Sequence, residues 1–160
     1  MKGEQKKIYS IGQIKKMVAR AKKAGQTVVT TNGCFDILHI GHVRYLNYAR
    51  EHGDMLIVGV NSDSSVRSNK GAARPIVPER ERAEVVAALR SVDAVFIFSD
   101  KTPEKWLRVL KPHIHVKGAD RTLSEILEKK VVESGGGKIV RAPYQKSHST
   151  THLISKIRAH

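Results

Sequence analysis

Apolar positions recur along the chain with two different spacings. Between residues 11 and 24 they follow the i, i+3, i+4, i+7 pattern that predicts an amphipathic helix. Residues 27–31 are rich in β-branched side chains, and residues 55–60 form a nearly continuous apolar run. Runs of this kind are typical of strands that are buried on both faces of a parallel sheet.

The remainder of the chain repeats this alternation. Further helices are predicted around residues 41–51, 78–90, 103–110, 123–131 and 153–157, and further strands at residues 94–98, 113–116 and 138–142. The polar residues 61–75 are predicted to form a loop. Alternating strands and helices predict an α/β fold with a Rossmann-like, doubly wound parallel sheet of about five strands. We expect a single domain over residues 1–160, with the helix at 11–24 preceding a core at 27–158.

Composition and charge narrow the range of functions. The chain has 160 residues, of which 40% are hydrophobic and 28% charged, as in ordinary globular domains. Its 29 basic and 15 acidic residues give a net charge of +14, which favours phosphorylated metabolites, acidic lipids or nucleic acids as partners, or simply serves solubility. The basic residues are dispersed and few aromatic residues lie among them, so we do not expect a dedicated nucleic-acid surface.

The sequence also indicates a cellular location. No apolar run approaches the roughly 20 residues that cross a bilayer, and no secretory signal is visible. Cys34 is the only cysteine, which excludes an internal disulfide framework. We therefore expect a cytoplasmic protein with no membrane partner.

The loop after the first predicted strand, residues 31–42, carries the most informative chemistry. It places His39 and His42 three positions apart at the start of a helix. Free amides and partial positive charge at a helix start favour phosphate, and two imidazoles there can donate to phosphoryl oxygens. From the residues alone, two other interpretations stay open: the histidines only cap the helix, or they bind zinc together with Cys34 and Asp36.

The order of the motifs resembles a known family. Gly33-Cys34-Phe35-Asp36 followed by His39-Ile40-Gly41-His42 resembles the signature of cytidylyltransferase-like nucleotidyltransferases, whose HxGH motif contacts a triphosphate and whose fold is Rossmann-like. Further matching segments follow in order: Asn61-Ser62-Asp63, Lys70-Gly71, Arg74-Pro75-Ile76, Arg82, Val116-Lys117-Gly118-Ala119-Asp120 and Ser149-Thr150-Thr151. This set is most similar to the D-glycero-β-D-manno-heptose 1-phosphate adenylyltransferases, which use ATP and Mg²⁺ to make an ADP-heptose for surface glycans. After Gly118 those enzymes usually carry Gly-Asp-Tyr, where this chain has Ala119-Asp120-Arg121.

The resemblance implies a division of roles. The residues expected to act in catalysis are His39, His42, Lys70 and Arg74. Nucleotide or phosphate binding is expected of Asn32, Gly33, Cys34, Phe35, Gly41, Lys117, Gly118, Asp120, Ser149, Thr150 and Thr151, and substrate binding of Asp36, Asn61, Asp63 and Arg82. Ordering a basic side chain is the alternative role for Asp36. Because Lys70 and Arg74 fall in the predicted loop, we expect that replacing either leaves stability nearly unchanged.

These expectations define a reaction. The sugar-phosphate oxygen attacks the α-phosphorus of ATP in line and pyrophosphate leaves, with Mg²⁺ held mainly by the NTP phosphates. A glycerol 3-phosphate cytidylyltransferase using CTP and an FMN adenylyltransferase stay open as alternatives within the superfamily, and a basic RNA-binding module as one outside it. The sugar kinase that is fused to many relatives has no counterpart in this sequence, so we expect a stand-alone transferase, and we also expect a homodimer.

Overall fold

The computed structural model describes residues 7–118, 126–143 and 150–159. The helices within these residues are α1 (Ile11–Lys23), α2 (Ile40–Arg50), α3 (Asp63–Lys70), α4 (Glu79–Ala87), α5 (Glu104–Leu110), α6 (Lys129–Ser134) and α7 (Thr150–Arg158). The strands are β1 (Val28–Gly33), β2 (Met55–Asn61), β3 (Ala94–Phe98), β4 (Ile114–Gly118) and β5 (Lys138–Ala142).

The five strands form one parallel sheet in the order β3-β2-β1-β4-β5. The central strand, β1, pairs with β2 on one side and with β4 on the other, where Thr31 lies opposite Val116. The strand order therefore reverses between β1 and β4, so the carboxyl ends of these strands, at Gly33 and Gly118, border the crevice where such sheets bind ligands. The predicted fold class, a doubly wound parallel sheet of five strands, is confirmed.

Helices cover both faces of the sheet, which explains why its strands are apolar. On one face, α2 and α4 contribute buried side chains: Leu46, Ala49, Ala83 and Val86. On the other face, α1, α5 and α6 contribute another set: Ile14, Val18, Trp106, Leu107 and Val131. Each fully buried aliphatic side chain stabilises the fold by ~1.5–3 kcal/mol. Within the described ranges, none of the helices has the length and apolar character needed to span a membrane.

Helix α3 lies where the sequence pattern predicts a loop. Ser62 caps it by accepting a hydrogen bond from the Ser65 amide at 3.2 Å. Of its residues only Ser65 and Val66 are buried. The loop prediction for this segment is therefore wrong. A helix that buries a single apolar side chain leaves no helical period in the sequence, so the pattern of apolar residues could not indicate it.

Two predicted helix boundaries also differ from the structure. Helix α4 ends at Ala87, short of residue 90. Helix α6 begins at Lys129, later than the start predicted near residue 123, although residues 123–125 lie outside the described part of the chain. Helix α7 begins at Thr150 and includes the apolar residues predicted to line it, Leu153, Ile154 and Ile157. Apolar residues mark where a helix is buried, and its ends extend beyond or fall short of that stretch.

The segment before α1 pairs with the outer edge of β3. Ile8 lies alongside Val95 in a parallel bridge. The Tyr9 amide donates to the Val95 carbonyl at 2.9 Å, and the Val95 amide donates to the Lys7 carbonyl at 2.7 Å. The Lys7 ammonium also donates to the Val92 carbonyl at 2.7 Å. Backbone pairing therefore covers the outer edge of β3 at Val95.

Candidate active site

His39 caps the helix that it precedes. Its backbone is extended, with φ −141° and ψ 170°, and its Nδ1 accepts a hydrogen bond from the Gly41 amide at 3.1 Å. An accepting Nδ1 carries no proton, so the proton of the neutral ring lies on Nε2. Capping and phosphate binding are therefore compatible, because the cap fixes the tautomer whose Nε2–H can donate to a phosphoryl oxygen.

His42 lies one helical turn further along α2 and stacks on His39. The two ring centroids are 3.9 Å apart and the ring planes are inclined by 24°. Burial, reinforced by the charges of His39 and Lys70, lowers the pKa of His42 from 6.5 to about 4. Its Nδ1 is buried without a hydrogen-bond partner among the described residues. At neutral pH His42 is uncharged and acts as a hydrogen-bonding group.

Lys70 is the predicted catalytic residue whose positive charge acts on His42. It is the last residue of α3, and its positive charge is close enough to lower the pKa of His42. The structure therefore fixes the backbone of Lys70 at a helix end, and not in a long flexible loop as the sequence predicts. Its side chain is exposed, which leaves the ammonium able to reach a bound anion.

Asp36 orders the loop that carries Arg74. The Asp36 side chain is fully buried and accepts hydrogen bonds from the Arg74 Nε and from the amides of Ile76 and Val77, both at 2.8 Å. Burial alone would raise the pKa of Asp36, but these hydrogen bonds and the arginine charge hold it below its ordinary value. Of the two roles considered for Asp36, the structure supports the ordering of a basic side chain.

Arg82 is buried inside the molecule. Its side chain has no exposed surface, and it donates to the Val77 carbonyl at 2.8 Å, to the Cys34 carbonyl and to the Asp63 carboxylate at 2.8 Å. These contacts tie the loop after β1 to helix α4. Arg82 therefore has a positioning role in this structure, in place of the substrate contact that the sequence predicts, because a buried guanidinium with three protein acceptors cannot also reach a ligand.

Asn61 and Asp63 differ in their accessibility. Asn61 is 6% exposed and donates to the Ser65 hydroxyl at 3.0 Å, and its contact with substrate stays a prediction. The side chain of Asp63 is 27% exposed, although one of its oxygens accepts a hydrogen bond from Arg82. The direct contact of Asp63 with substrate also stays a prediction.

The carboxyl ends of β1 and β4 bring three predicted nucleotide-binding residues together. The Lys117 ammonium donates to the Asn32 side-chain oxygen at 3.3 Å, and Gly118 ends β4 next to them.

The Phe35 ring packs closely against its surroundings. A side chain at Gly33 would come within 3.0 Å of this ring, which explains the glycine. Phe35 itself has a positive φ of 47°, uncommon for a residue with a side chain, and its ring meets His42 edge-on at a centroid distance of 5.3 Å.

The roles predicted for four other residues stay untested by the described structure. Asp120 and Ser149 lie outside the described residues. Thr150 and Thr151 begin α7, none of whose described residues is buried. Their place at a phosphate therefore stays a prediction. Cys34 is half-buried, and its carbonyl, not its thiol, makes the described contact, with Arg82.

Zinc binding by Cys34, Asp36, His39 and His42 has no support in this geometry. In the described part of the chain, no three histidine, cysteine or acidic side chains converge as a metal site would require. The Asp36 carboxylate is already engaged by Arg74 and two backbone amides.

Two contact residues escape sequence reasoning. The Tyr45 hydroxyl contacts the Thr31 hydroxyl and donates to the Val116 carbonyl at 2.8 Å, which fixes α2 against β1 and β4. Tyr45 follows His42 by three positions, which places the two residues on the same face of a helix, and this spacing could have indicated the position of Tyr45. Glu128 pairs with Lys117 at 2.8 Å, and no local pattern signals a partner 11 residues away.

A doubly wound parallel sheet with two stacked imidazoles at the start of α2, the first helix after β1, is typical of α/β domains that bind phosphorylated ligands at the carboxyl edge of the sheet. The chain belongs to the cytidylyltransferase-like family, whose model matches residues 30–156. The resemblance identified from the motifs, and with it the prediction of a nucleotidyltransferase, is confirmed.

Two curated proteins show how similar this chain is to known sequences. The chain is 47% identical over 152 residues to the bifunctional protein HldE of Geotalea uraniireducens, covering 95% of this chain and 31% of that protein. It is 43% identical over 151 residues to the bifunctional protein HldE of Geobacter sulfurreducens, covering 94% of this chain and 31% of that protein. The chain thus spans about a third of the length of these curated relatives.

Solved structures share the fold. The lipopolysaccharide core biosynthesis protein from Thermoplasma volcanium superposes with a TM-score of 0.64 at 30% identity, covering 78% of this chain and all of that one. Pantoate-β-alanine ligase from Francisella tularensis, complexed with β-γ ATP and β-alanine, gives a TM-score of 0.63 at 18% identity, covering 88% of this chain and 67% of that one. The second likeness concerns the fold alone.

Proposed function

We propose that this chain transfers AMP from ATP to a sugar 1-phosphate, D-glycero-β-D-manno-heptose 1-phosphate, and releases pyrophosphate. The observation that carries the proposal is the stacked pair of His39 and His42 at the start of α2, with Lys70 beside it. The motif resemblance supports the heptose acceptor, and the similarity to a lipopolysaccharide core biosynthesis protein agrees with it.

In the proposed reaction, an oxygen of the sugar phosphate bonds to the α-phosphorus of ATP. The bond between that phosphorus and the oxygen bridging to the β-phosphate breaks, and the electron pair leaves with pyrophosphate. His39 donates through Nε2–H on the β-phosphate side and His42 hydrogen-bonds on the α-phosphate side. Preorganised donors of this kind each contribute ~10²–10³ in rate, because the charge on the phosphoryl oxygens grows in the transition state.

Lys70 and Arg74 neutralise the charge of the phosphates. The Lys70 side chain is exposed beside the histidine pair, so it can move onto a bound anion. Arg74 uses its Nε for Asp36, and its two terminal nitrogens are the part of the guanidinium that can contact phosphate. Asp36 thus serves the reaction by aiming Arg74.

The donor groups at this site suit a metal that is held by phosphate. The described catalytic side chains are basic or neutral, and the buried carboxylate beside them, Asp36, is already engaged by three donors. We propose that Mg²⁺ binds through the oxygens of the ATP phosphates. When bound, it would neutralise part of the triphosphate charge.

A cytoplasmic location and a homodimer belong to the same proposal. A single cysteine, Cys34, supports a reducing compartment. The dimer is an expectation from the sequence, and light scattering of the purified protein at several concentrations tests it.

The experiment that tests the reaction is a matrix of pyrophosphate release. ATP and CTP are each combined with the heptose 1-phosphate, glycerol 3-phosphate and FMN. We expect ATP with the heptose 1-phosphate to give the highest kcat/KM. A higher value for CTP with glycerol 3-phosphate, or for ATP with FMN, would overturn the heptose acceptor and keep nucleotidyl transfer. No release with any pair, together with tight retention of RNA, would favour the nucleic-acid-binding alternative.

A further inference from the structure

Glu128 is a buried acidic residue that the reaction described above does not use. It lies directly before α6, and 10% of its side chain is exposed. A carboxylate is rarely so buried without a partner, because removing its charge from water costs several kcal/mol. Its partner is the ammonium of Lys117, 2.8 Å away, whose side chain is 17% exposed.

The same ammonium reaches the end of β1. Lys117 Nζ lies 3.3 Å from Asn32 Oδ1. β1 and β4 are adjacent parallel strands, and Thr31 is paired with Val116, so Asn32 and Lys117 follow in register at the carboxyl edge. The ammonium thus joins the carboxylate of Glu128, which directly precedes α6, to an amide from β1.

These contacts determine which way the Asn32 amide faces. An ammonium can only donate, so the atom of Asn32 that it contacts must be the oxygen. The NH₂ group of Asn32 is therefore turned away from Lys117. Without Glu128, the long lysine side chain would lose its strongest restraint, and the orientation of the amide would no longer be fixed.

We propose that Glu128 is a positioning residue for the nucleotide. It holds Lys117 against Asn32, so that the third N–H of the ammonium and the NH₂ group of Asn32 are presented to bound ATP. The inference rests on the proposed function, because it requires ATP at the carboxyl ends of β1 and β4. It adds to that function a residue from the opposite helical layer to the histidine pair.

Glu128→Ala and Glu128→Gln test this role, with Glu133→Gln as the control on the same helix. Glu133 is half-exposed and its contact with Lys129 is long, at 3.9 Å. We expect Glu128→Ala to raise both the KM and the Kd for ATP about tenfold, as for loss of a hydrogen bond between charged groups, with kcat changed less than threefold. Glu128→Gln, which keeps the size and one acceptor, should give a smaller increase, and Glu133→Gln none.

A double-mutant cycle with Lys117→Met separates positioning from structural support. If Glu128 acts through Lys117, adding Glu128→Gln to Lys117→Met should cause no further loss of ATP affinity. A lower Tm with an unchanged KM and Kd for ATP in both Glu128 variants would overturn the proposal. An additive loss of affinity in the double variant would also overturn it.

The same measurements distinguish failure of this inference from failure of the proposed function. Wild-type protein that binds ATP but releases no pyrophosphate with any acceptor would sink the proposed reaction, while the affinities would still decide the role of Glu128. Wild-type protein that does not bind ATP would overturn both.

Discussion

The imidazole of His42 stacks on that of His39 at a centroid distance of 3.9 Å, while Nδ1 of His39 holds the first turn of α2. The helix cap, the ring orientation and the pair itself therefore depend on one another. A substitution that keeps the cap but removes the imidazole of His39 therefore separates capping from catalysis.

His39→Ala and His42→Ala are each expected to lower kcat by ~10²–10³, because each loses one transition-state hydrogen bond. Pyrophosphate release at saturating substrates measures this. His39→Asn should lose activity while keeping the cap, since an asparagine oxygen also accepts from a backbone amide. His52→Ala, two residues beyond the end of α2, is the matched control and should retain wild-type kcat. Near-wild-type turnover in folded His39→Ala and His42→Ala would remove the catalytic assignment.

Stability is expected to fall as the pH drops from about 6.5 towards about 4. The pKa of His42 is lowered to about 4 in the folded protein from 6.5, so the unfolded chain binds more protons between these values. Burial, with the charge of Lys117, also lowers the pKa of His115, which acts in the same direction. Chemical denaturation at pH 7 and pH 5 measures the loss. His42→Gln should reduce it, and an undiminished loss would contradict the burial of a neutral His42.

Arg74→Ala is expected to destabilise the protein by about 2 kcal/mol, the value of a hydrogen bond to a charged group. Its removal leaves the fully buried carboxylate of Asp36 without its cationic partner. This replaces the expectation from loop position alone, which was no change. Lys70→Ala, at an exposed helix end, serves as the comparison and should alter kinetics but not the free energy of unfolding. Equal stability of the two variants would show that the ion pair contributes nothing.

Arg82→Met is expected to lower the free energy of unfolding by about 3 kcal/mol, as when one partner of a buried pair is removed. The carbonyls of Cys34 and Val77 lose their donor, so kcat/KM should also fall through displacement of the loop after β1. Urea denaturation and steady-state kinetics are measured together, with the exposed Arg80→Met on the same helix as control. A kinetic loss without a change in stability would instead restore the substrate contact predicted for Arg82.

The sequence allowed the fold to be predicted because burial on two faces leaves a strong pattern. The apolar run at residues 55–60 becomes β2, and its neighbours follow from the same alternation. Helix α3 leaves no such pattern, because it buries one apolar side chain, Val66. A helix that is held mainly by a serine cap and one buried apolar side chain is not visible in hydrophobic periodicity.

The site was predictable where a motif is local and not where a contact is distant. His39 and His42 share one helical turn, so their spacing alone places them together. Asp36, Arg82 and Glu128 find their partners 38, 48 and 11 residues away. Residue type indicates that such groups need a partner when buried, but the fold decides which partner they have.

The two edges of the sheet differ in how they resist pairing with another molecule. At the edge strand β3, the amide and carbonyl of Val95 are already bonded to the segment around Ile8. At the edge strand β5, the exposed positions are Lys138 and Arg141, so a second copy of the strand would meet like charge. Backbone hydrogen bonds depend little on salt concentration. Charge repulsion is screened when the Debye length falls to ~3 Å at 1 M ionic strength. Concentrated salt should therefore favour self-association through β5, and it should leave the backbone bonds at Val95 unchanged.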